Sequence, residues 1–475
     1  MRFISWIALC QSSICNTELN VYNFLIRNRP AAVFRTFKRV FLMRLMYILL
    51  CLVGAWGLSA AGLAHAAASP TPYPLWTIDA QALAQTQQKI TAADPAVVPA
   101  YQALQERAAK ALVAPLRNVV NKTLTPPSGS KNDYMSMGPY WWPNPNTPNG
   151  LPYIQRDGQR NPESHGGALD ADNLQAMAGD SLDLALMYRF TQEPRYAEKA
   201  AAVIRAWFLT PASRMNPHLR YAQSIPGIVD GRGLGIIDTR DLWKVIDAAA
   251  LIHPALSAAE MQALRDWFSQ YAQWLSTSAN GKDEAAAKNN HGMFFDVQLA
   301  LYWIYTGETT RARQLVFDAQ TKRFAAQFDK RGWMPLELAR TKPYHYHTFT
   351  LEAVTRLALY GQRLQALVPA GQGLQAGDAR CRAPSLDINC PLDLWHLEID
   401  GKSLQSVLQR VAEVVVQPGG WTFATSLEPT PYLPPAIYPL ALARAAYPPG
   451  MLSQALALLH KETPDSIHWL LWPAP

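Results

Sequence analysis

A helical periodicity runs through nearly the whole chain after residue 74, and it restricts the fold more than any other feature. Apolar side chains recur with a 3.6-residue period, whereas alternating runs rich in β-branched residues are scarce. Three pairs of amphipathic segments are separated by short breaks, and each pair predicts a helical hairpin: 172–190 with 194–208, 240–252 with 258–276, and 290–305 with 309–328. The pattern therefore predicts an all-α protein.

The remaining helical segments and the loops between them predict a closed arrangement of hairpins. Further helices are predicted at 79–90, 95–113, 348–367, 403–416, 435–447 and 451–459. Serial hairpins of this size indicate an (α/α) toroid, an incomplete barrel within a single domain, 67–475. A helical solenoid is the alternative, but the hairpins lack the fixed period and shared residue pattern of a repeat array.

Four long loops interrupt the predicted helices, at 123–168, 214–238, 332–346 and 369–393. Loops of this length in a compact domain are usually functional or disordered. The first three are rich in Trp, Tyr, Asn, Arg and His, which favours a functional role.

The net charge of the chain is concentrated at its beginning. The 475 residues are 49% hydrophobic and 17% charged, a globular composition, with a net charge of +7. Residues 1–66 contain seven basic residues and one acid, which leaves a net charge of only +1 for the rest. We therefore expect no nucleic-acid partner.

The segment 43–66 has the features of a secretory signal peptide. It has a basic start, an apolar run, and small residues at Ala64 and Ala66, as signal peptidase prefers. A transmembrane anchor is the alternative, but Gly and Ser within the run favour cleavage, without stable membrane insertion. Residues 1–42 have the character of an extension from a misplaced start codon, with Met43 or Met46 as initiator. We expect a periplasmic or secreted protein, and we assume a monomer.

Two of the five cysteines remain after the predicted cleavage site, Cys381 and Cys390. An even number of cysteines in an oxidising compartment predicts one disulfide. Metal ligation is the weaker interpretation, because no second Cys or His pair lies nearby at ligand spacing. We expect neither a metal nor a cofactor.

The first long loop concentrates aromatic side chains that can stack on sugar rings. Four rings fall within nine positions, and a cation that could bind an acidic group follows: Tyr134, Tyr140, Trp141, Trp142 and Arg156. An equally weighted interpretation is that Trp141 and Trp142 plug the end of the helical barrel.

The segment 288–292 opens a predicted helix with two amides and an imidazole. Asn290 and His291 would lie where backbone N–H groups and the helix dipole favour an anion. The alternative is that Asn289 only caps the helix and that His291 is a hydrogen-bonded core residue.

The segment 337–347 contains two cations, two phenols and two imidazoles, just before a predicted helix. A nearby Arg would lower the pKa of a tyrosine from about 10 and make it a proton-transfer group. The alternative is an ion pair between Arg340 and Glu337 with tyrosines that merely pack. The candidate site residues here are Arg340, Lys342, Tyr344, His345 and Tyr346.

A glycine-rich stretch at 231–235 superficially resembles a phosphate-binding loop, but no strand precedes it. A tight loop that places Gln223 or Arg232 in a cleft is the better hypothesis. A purely conformational role for the glycines is equally compatible with the sequence.

These segments together resemble the alginate lyase superfamily of polyuronate lyases, over about residues 130 to 350. The motifs occur in the family's order: the aromatic loop at 134–143, Arg156-Asp157-Gly158 with 161–163, Asn289-Asn290-His291, and 337–340 with His345-Tyr346. The resemblance implies an (α/α) toroid with a cleft for an acidic polysaccharide. It also implies that Asn290, His291 and Arg340 face the uronate carboxylate while Tyr346 moves the proton.

The spacing from Arg340 to Tyr346 is one residue shorter than in polysaccharide lyase family five and resembles family thirty-eight more closely. Family thirty-eight includes alginate and glucuronan lyases, so the resemblance does not choose between these polymers.

The residue types agree with β-elimination, which removes the C5 proton and expels the 4-O-linked sugar. Neutralising the carboxylate stabilises the charge that develops in the transition state. One tyrosine acting as base and acid suits syn elimination at mannuronate or glucuronate. For guluronate the base lies across the ring, where His291 is the candidate. Tyr344 is the rival to Tyr346.

Two other functions are compatible with the sequence. A glycoside hydrolase on the same toroid needs two carboxylates flanking the scissile bond, and Asp170, Asp172 and Asp296 are available. A non-catalytic polyuronate-binding protein is the second, although Arg340, His291 and Tyr346 argue against it.

Overall fold

α-Helices dominate the computed structural model, which describes residues 73–368, 373–374, 378 and 389–473. The α-helices of these residues, in chain order, are α1 Ala80–Thr91, α2 Val98–Val113, α3 Ala171–Thr191, α4 Pro194–Ile204, α5 Trp243–Leu251, α6 Ala258–Thr277, α7 Ala279–Ala286, α8 Asn290–Thr306, α9 Thr309–Ala319, α10 Pro335–Leu338, α11 Pro343–Ala366, α12 Leu404–Val416, α13 Ile437–Ala443, α14 Met451–Glu462 and α15 His468–Leu471. The predicted all-α class is confirmed.

The helices of all three predicted hairpins are present, and two of the pairs pack as predicted, α3 with α4 and α8 with α9. The third pair, α5 and α6, does not pack as a hairpin, because α6 packs mainly against α8. The second helix of two hairpins continues as a π-helix, at Arg205–Leu209 and Gln320–Ala325. Local signals explain the boundaries: Ser257 and Glu260 form a capping box at the start of α6, and Gly307 ends α8 in the left-handed conformation.

Helix α11 begins at Pro343, five residues before its predicted start. Proline is favoured at the first helical position, and the carboxylate of Glu428 accepts the backbone N–H groups of Tyr344 and His345 at 2.6 and 3.1 Å. Residues predicted to lie in a loop therefore form the first turn of a helix. Helix α7 was not predicted. The predicted helix at 435–447 is α-helical only at Ile437–Ala443, with 3₁₀ helices at Pro434–Ala436 and Arg444–Ala446 on either side.

An inner layer of helices determines the architecture. Helices α3, α5, α8 and α11 pack in succession, while α4, α6 and α9 pack outside them. Buried side chains occur on every face of α8 and α11, as expected of helices enclosed by others. Helix α15 packs against α1 and α2, so the last described helix meets the first ones. This arrangement confirms the predicted (α/α) toroid.

Short strands lie in the long loops and connect them in pairs. Strand β1, Met135–Met137, pairs in parallel with β4, Tyr221–Ser224. Strand β2, Trp141–Trp142, pairs antiparallel with β3, Ile154–Gln155. A third antiparallel pair is formed by β5, Glu398–Ile399, and β6, Lys402–Ser403.

Cys390 takes part in a disulfide. The predicted partner, Cys381, lies outside the described residues, so the pairing stays a prediction. Residues 1–66, with the predicted extension and signal peptide, also lie outside them.

Within the described ranges, no helix is both long and apolar enough to cross a membrane.

A buried ion pair holds the connection between α7 and α8 in place. The Arg323 guanidinium binds both carboxylate oxygens of Asp296, with nitrogen–oxygen distances of 2.8 and 3.0 Å. The same guanidinium donates to the carbonyl oxygens of Ala285 and Ala287 at 2.7 and 2.8 Å. This one side chain therefore joins the π-helical segment, α8 and the chain just before Asn289.

Replacing Asp296 with alanine is expected to lower the free energy of unfolding by about 3–5 kcal/mol, because a buried guanidinium would lose its carboxylate. Urea denaturation measures the loss. The control is Asp318→Ala, which removes the partner of the exposed Lys322 and is expected to cost less than about 1 kcal/mol. Equal losses in the two variants would contradict a stabilising role for the buried pair.

Candidate active site

A cleft of about 660 Å³ opens where the inner helices begin. The first turns of α3, α8 and α11 contribute to its lining, and helix N-termini favour anions. Four arginines also line it: Arg160, Arg232, Arg240 and Arg340. These cations and helix ends make the cleft suited to an anionic ligand.

The start of α8 places Asn290 and His291 in the cleft. Asn289 caps the helix by accepting the backbone N–H of His291 at 3.3 Å. The backbone N–H of Asn290 donates to Glu337 at 2.6 Å, and its side-chain amide contacts both carboxylate oxygens at 3.0 and 3.1 Å. Burial raises the pKa of Glu337, although the bonds from Asn290 oppose that shift. These bonds to Glu337 thus fix the orientation of the Asn290 side chain.

A second carboxylate contacts His291. The imidazole Nδ1 lies 2.8 Å from Oε1 of Glu284, which belongs to α7 and is fully buried. The ring itself is partly exposed and lines the cleft. His291 therefore lines the cleft while its Nδ1 is hydrogen-bonded to a buried carboxylate.

Arg340 is held by Asp157. Its Nε and Nη2 donate to the two carboxylate oxygens of Asp157 at 3.1 and 2.6 Å, and the Thr341 hydroxyl adds a bond of 3.1 Å. Although burial raises the pKa of Asp157, Arg340 and Thr341 hold it below its usual range. The alternative ion pair between Arg340 and Glu337 is absent, because Glu337 binds Asn290 instead.

The loop that carries Asp157 can approach Thr341 closely because residue 158 is a glycine. Its φ is +73°, and a Cβ there would lie 2.4 Å from the Thr341 hydroxyl oxygen. The Arg-Asp-Gly motif therefore positions Arg340 from a loop more than 180 residues away in sequence.

Tyr346 lies under Arg340, with the guanidinium carbon 3.7 Å from the centre of the phenol ring. Its hydroxyl hydrogen-bonds to the Tyr140 hydroxyl at 2.8 Å. Burial and Tyr140 raise the pKa of Tyr346, and Arg340 opposes the shift without reversing it. The expectation that Arg340 lowers this pKa below that of free tyrosine was wrong, because desolvation outweighs the cation.

Gln223 and Arg232 both line the cleft and are hydrogen-bonded to each other at 3.0 Å. Gln223 also donates to Asp238 at 3.0 Å, and its backbone φ is +47°. The neighbouring glycines have a packing role, since a Cβ at Gly231 would lie 2.1 Å from the carbonyl oxygen of Arg220.

The family model for alginate lyases matches residues 118–376, more than half of the chain. The chain belongs to the alginate lyase family. The crystal structure of an alginate lyase from Bacteroides ovatus is similar, with a TM-score of 0.72 and 33% sequence identity, covering 84% of this chain and 99% of that chain. No curated protein sequence matches significantly. The predictions of the family and of a polysaccharide lyase are confirmed.

Five of the predicted substrate-binding residues line the cleft of this lyase: Tyr140, Trp141, Gln223, Arg232 and His345. His345 stacks on Phe349 at 5.9 Å between ring centres. Burial, with a contribution from Lys342, lowers the pKa of His345 to about 4, so the ring is neutral near pH 7.

The other five predicted substrate-binding residues do not line the cleft. Tyr134 is fully buried and donates to Asp238 at 3.0 Å. Trp142 packs against Arg156, 5.3 Å from the guanidinium carbon to the ring centre. Lys342 precedes α11, and Tyr344 is buried against Trp421. These residues were predicted to bind substrate because they are close in sequence to residues that line the cleft. Successive side chains of a strand or helix point in different directions, so neighbours in sequence need not share the cleft.

The carboxylates considered for a hydrolase are not arranged as a catalytic pair. Asp170 is buried in an ion pair with Lys122 at 2.8 Å, and Asp296 is bound by Arg323. Asp172 lines the cleft of the lyase, where His165 contacts it at 3.0 Å.

Sequence reasoning missed three carboxylates and two cations of the site: Asp157, Glu284, Glu337, Arg160 and Arg240. Asp157 and Glu337 lie inside motifs that were recognised, but their partners are distant in sequence. Glu284 carries no local signal, because a Glu in an Ala-rich helix normally indicates a solvated face.

Proposed function

We propose that this lyase cleaves 4-linked polyuronates, namely alginate and the related polymer glucuronan, by β-elimination in the cleft. The supporting observation is that two distant segments, one with Asn290 and His291 and one with Arg340 and Tyr346, line the same cleft. Abstraction of a proton beside a carboxylate requires a cation to stabilise the charge and groups that transfer protons, and this cleft has a cation, an imidazole and a phenol.

Arg340 is the main partner of the substrate carboxylate in this proposal. Asp157 occupies Nε and Nη2 of its guanidinium and leaves Nη1 for the substrate. A guanidinium fixed in advance stabilises the developing negative charge without reorganising during the reaction. Asn290, fixed by Glu337, and His291 complete the carboxylate site.

Tyr346 carries the proton transfers at mannuronate or glucuronate. Its raised pKa keeps the phenol neutral in the free enzyme, so it can protonate the leaving O4 oxygen. To accept the C5 proton it must first lose its own, and Arg340 is the group that stabilises the phenolate. For guluronate, whose C5 hydrogen lies on the opposite face, His291 is the proposed base.

The proposal is tested by a product assay on polymannuronate, polyguluronate and glucuronan. Elimination creates a C4–C5 double bond conjugated to the carboxylate, so we expect ultraviolet absorbance to rise on at least one polymer. New reducing ends without that absorbance would indicate hydrolysis. Binding without any cleavage would indicate a non-catalytic polyuronate-binding protein.

Action in the periplasm or outside the cell is part of the proposal and rests on the predicted signal peptide. The assay therefore uses the mature chain from about residue 67.

A further inference from the structure

Glu284 is a buried carboxylate at the back of the cleft. Its side chain is 0% exposed, against 16% for its partner His291, and its Oε1 lies 2.8 Å from Nδ1 of that ring. Within the described part of the chain, its Oε2 has no hydrogen-bond partner. A carboxylate buried with so few donors is costly, so stability alone does not account for an ionisable group at this position.

We propose that Glu284 is a positioning residue that keeps a proton on Nδ1 of His291 and leaves Nε2 as the lone-pair nitrogen available to the cleft. An ionised carboxylate can only accept a hydrogen bond, so Nδ1 must donate. A neutral imidazole carries one N–H, and the hydrogen bond made by one nitrogen therefore decides the state of the other. The inference rests on the proposed function, in which His291 acts on the substrate.

At guluronate, this tautomer makes His291 the proton acceptor. Nε2 takes the C5 proton, the electron pair of the C5–H bond forms the C4–C5 double bond, and the C4–O4 bond breaks. O4 takes the proton of Tyr346, whose raised pKa keeps it protonated beforehand. Glu284 stabilises the imidazolium that results, and solvent then restores both residues. With the proton on Nε2 instead, His291 has no lone pair facing the substrate.

The surroundings of the pair include other charges. Asp283 on α7 raises the pKa of Glu284, whereas Arg232 from the loop before α5 lowers it. Glu337 on α10 interacts electrostatically with His291. Burial raises the pKa of Glu284, and the bond to His291 opposes that shift. Asp283 is exposed and provides a matched control one residue away.

The test is Glu284→Gln, which keeps the shape of the side chain but can donate to Nδ1 and so permits the other tautomer. On polyguluronate, for which His291 is the proposed base, we expect kcat to fall about 10²-fold, with KM changed by less than about threefold. The acidic limb of the pH profile moves to lower pH, because a neutral amide no longer stabilises the imidazolium. Asp283→Asn is expected to stay within about twofold of the parent enzyme.

A second readout does not depend on activity. Nitrogen NMR of ¹⁵N-histidine-labelled protein, with the His291 signals assigned by their loss in His291→Gln, reports which ring nitrogen carries the proton. We expect Nδ1–H in the parent enzyme and a mixture in Glu284→Gln. An Nε2–H tautomer in the parent overturns the inference, even if Glu284→Gln misfolds.

Different results would overturn the proposed role of His291 and the inference about Glu284. Full activity of His291→Gln on polyguluronate would overturn the proposed role of His291 and with it the inference. An inactive His291→Gln beside a fully active Glu284→Gln overturns the inference alone. If Glu284 acts through His291, the variant that carries both Glu284→Gln and His291→Gln is no slower than His291→Gln alone, because the two effects are not additive.

Discussion

Tyr346→Phe is expected to lower kcat by about 10²–10⁴-fold while leaving substrate binding within a few-fold, because it removes the proton-transfer hydroxyl and keeps the ring. The phenylalanine ring still packs under Arg340, so the geometry of the carboxylate site is retained. Steady-state rates of absorbance increase measure kcat, and equilibrium titration of the variant with the intact polymer measures binding.

Tyr344→Phe is the matched control for this experiment. Tyr344 is buried outside the cleft, and its hydroxyl has no hydrogen-bond partner among the described residues. Removing this hydroxyl is expected to change kcat by less than about twofold. A large loss in Tyr344→Phe together with full activity in Tyr346→Phe would transfer the role to the rival tyrosine.

The pH dependence separates the two roles of Tyr346. Because burial and Tyr140 raise its pKa, the phenolate is a minor form near neutrality, and its fraction grows tenfold per pH unit below that pKa. If the phenolate is the base, kcat/KM rises with pH from neutral into the alkaline range. If Tyr346 serves only as the acid, kcat/KM shows no such rise.

Arg340→Ala is expected to weaken both substrate binding and catalysis, because it removes the fixed cation at the substrate carboxylate. We expect kcat to fall by about 10²–10³-fold and KM to rise. It also leaves Asp157 without its bidentate partner in the cleft wall, where its charge repels the substrate. Kinetics on the cleaved polymer give both constants. An unchanged kcat with a raised KM would mean that Arg340 binds the substrate but does not stabilise the transition state.

Two further variants separate charge from orientation at this site. Arg340→Lys keeps the positive charge but loses the planar bidentate contact with Asp157, so we expect it to recover only part of the lost activity. Asp157→Asn keeps the cation and removes its fixed partner, so a smaller loss than in Arg340→Ala is expected. A loss in Asp157→Asn as large as that in Arg340→Ala would place the essential charge on Asp157.

Much of the fold followed from the sequence because the inner helices have strong local signals. The start of α8 at Asn290 and its end before Gly307 are marked by an amide cap and a glycine that adopts the left-handed conformation. The start of α11 was predicted too late, because the carboxylate that supports its first turn is Glu428, more than 80 residues away. Local periodicity carries no information about such a distant partner.

The sequence by itself determined the helices and the family, and it predicted the groups of the proposed site, because periodicity, caps and motifs are local properties. The tertiary structure alone decided which partner each group has. It paired Arg340 with Asp157, Asn290 with Glu337 and His291 with Glu284. It also raised the pKa of Tyr346, where the sequence had predicted the opposite. Both results depend on burial and on contacts between distant segments, which only the folded chain creates.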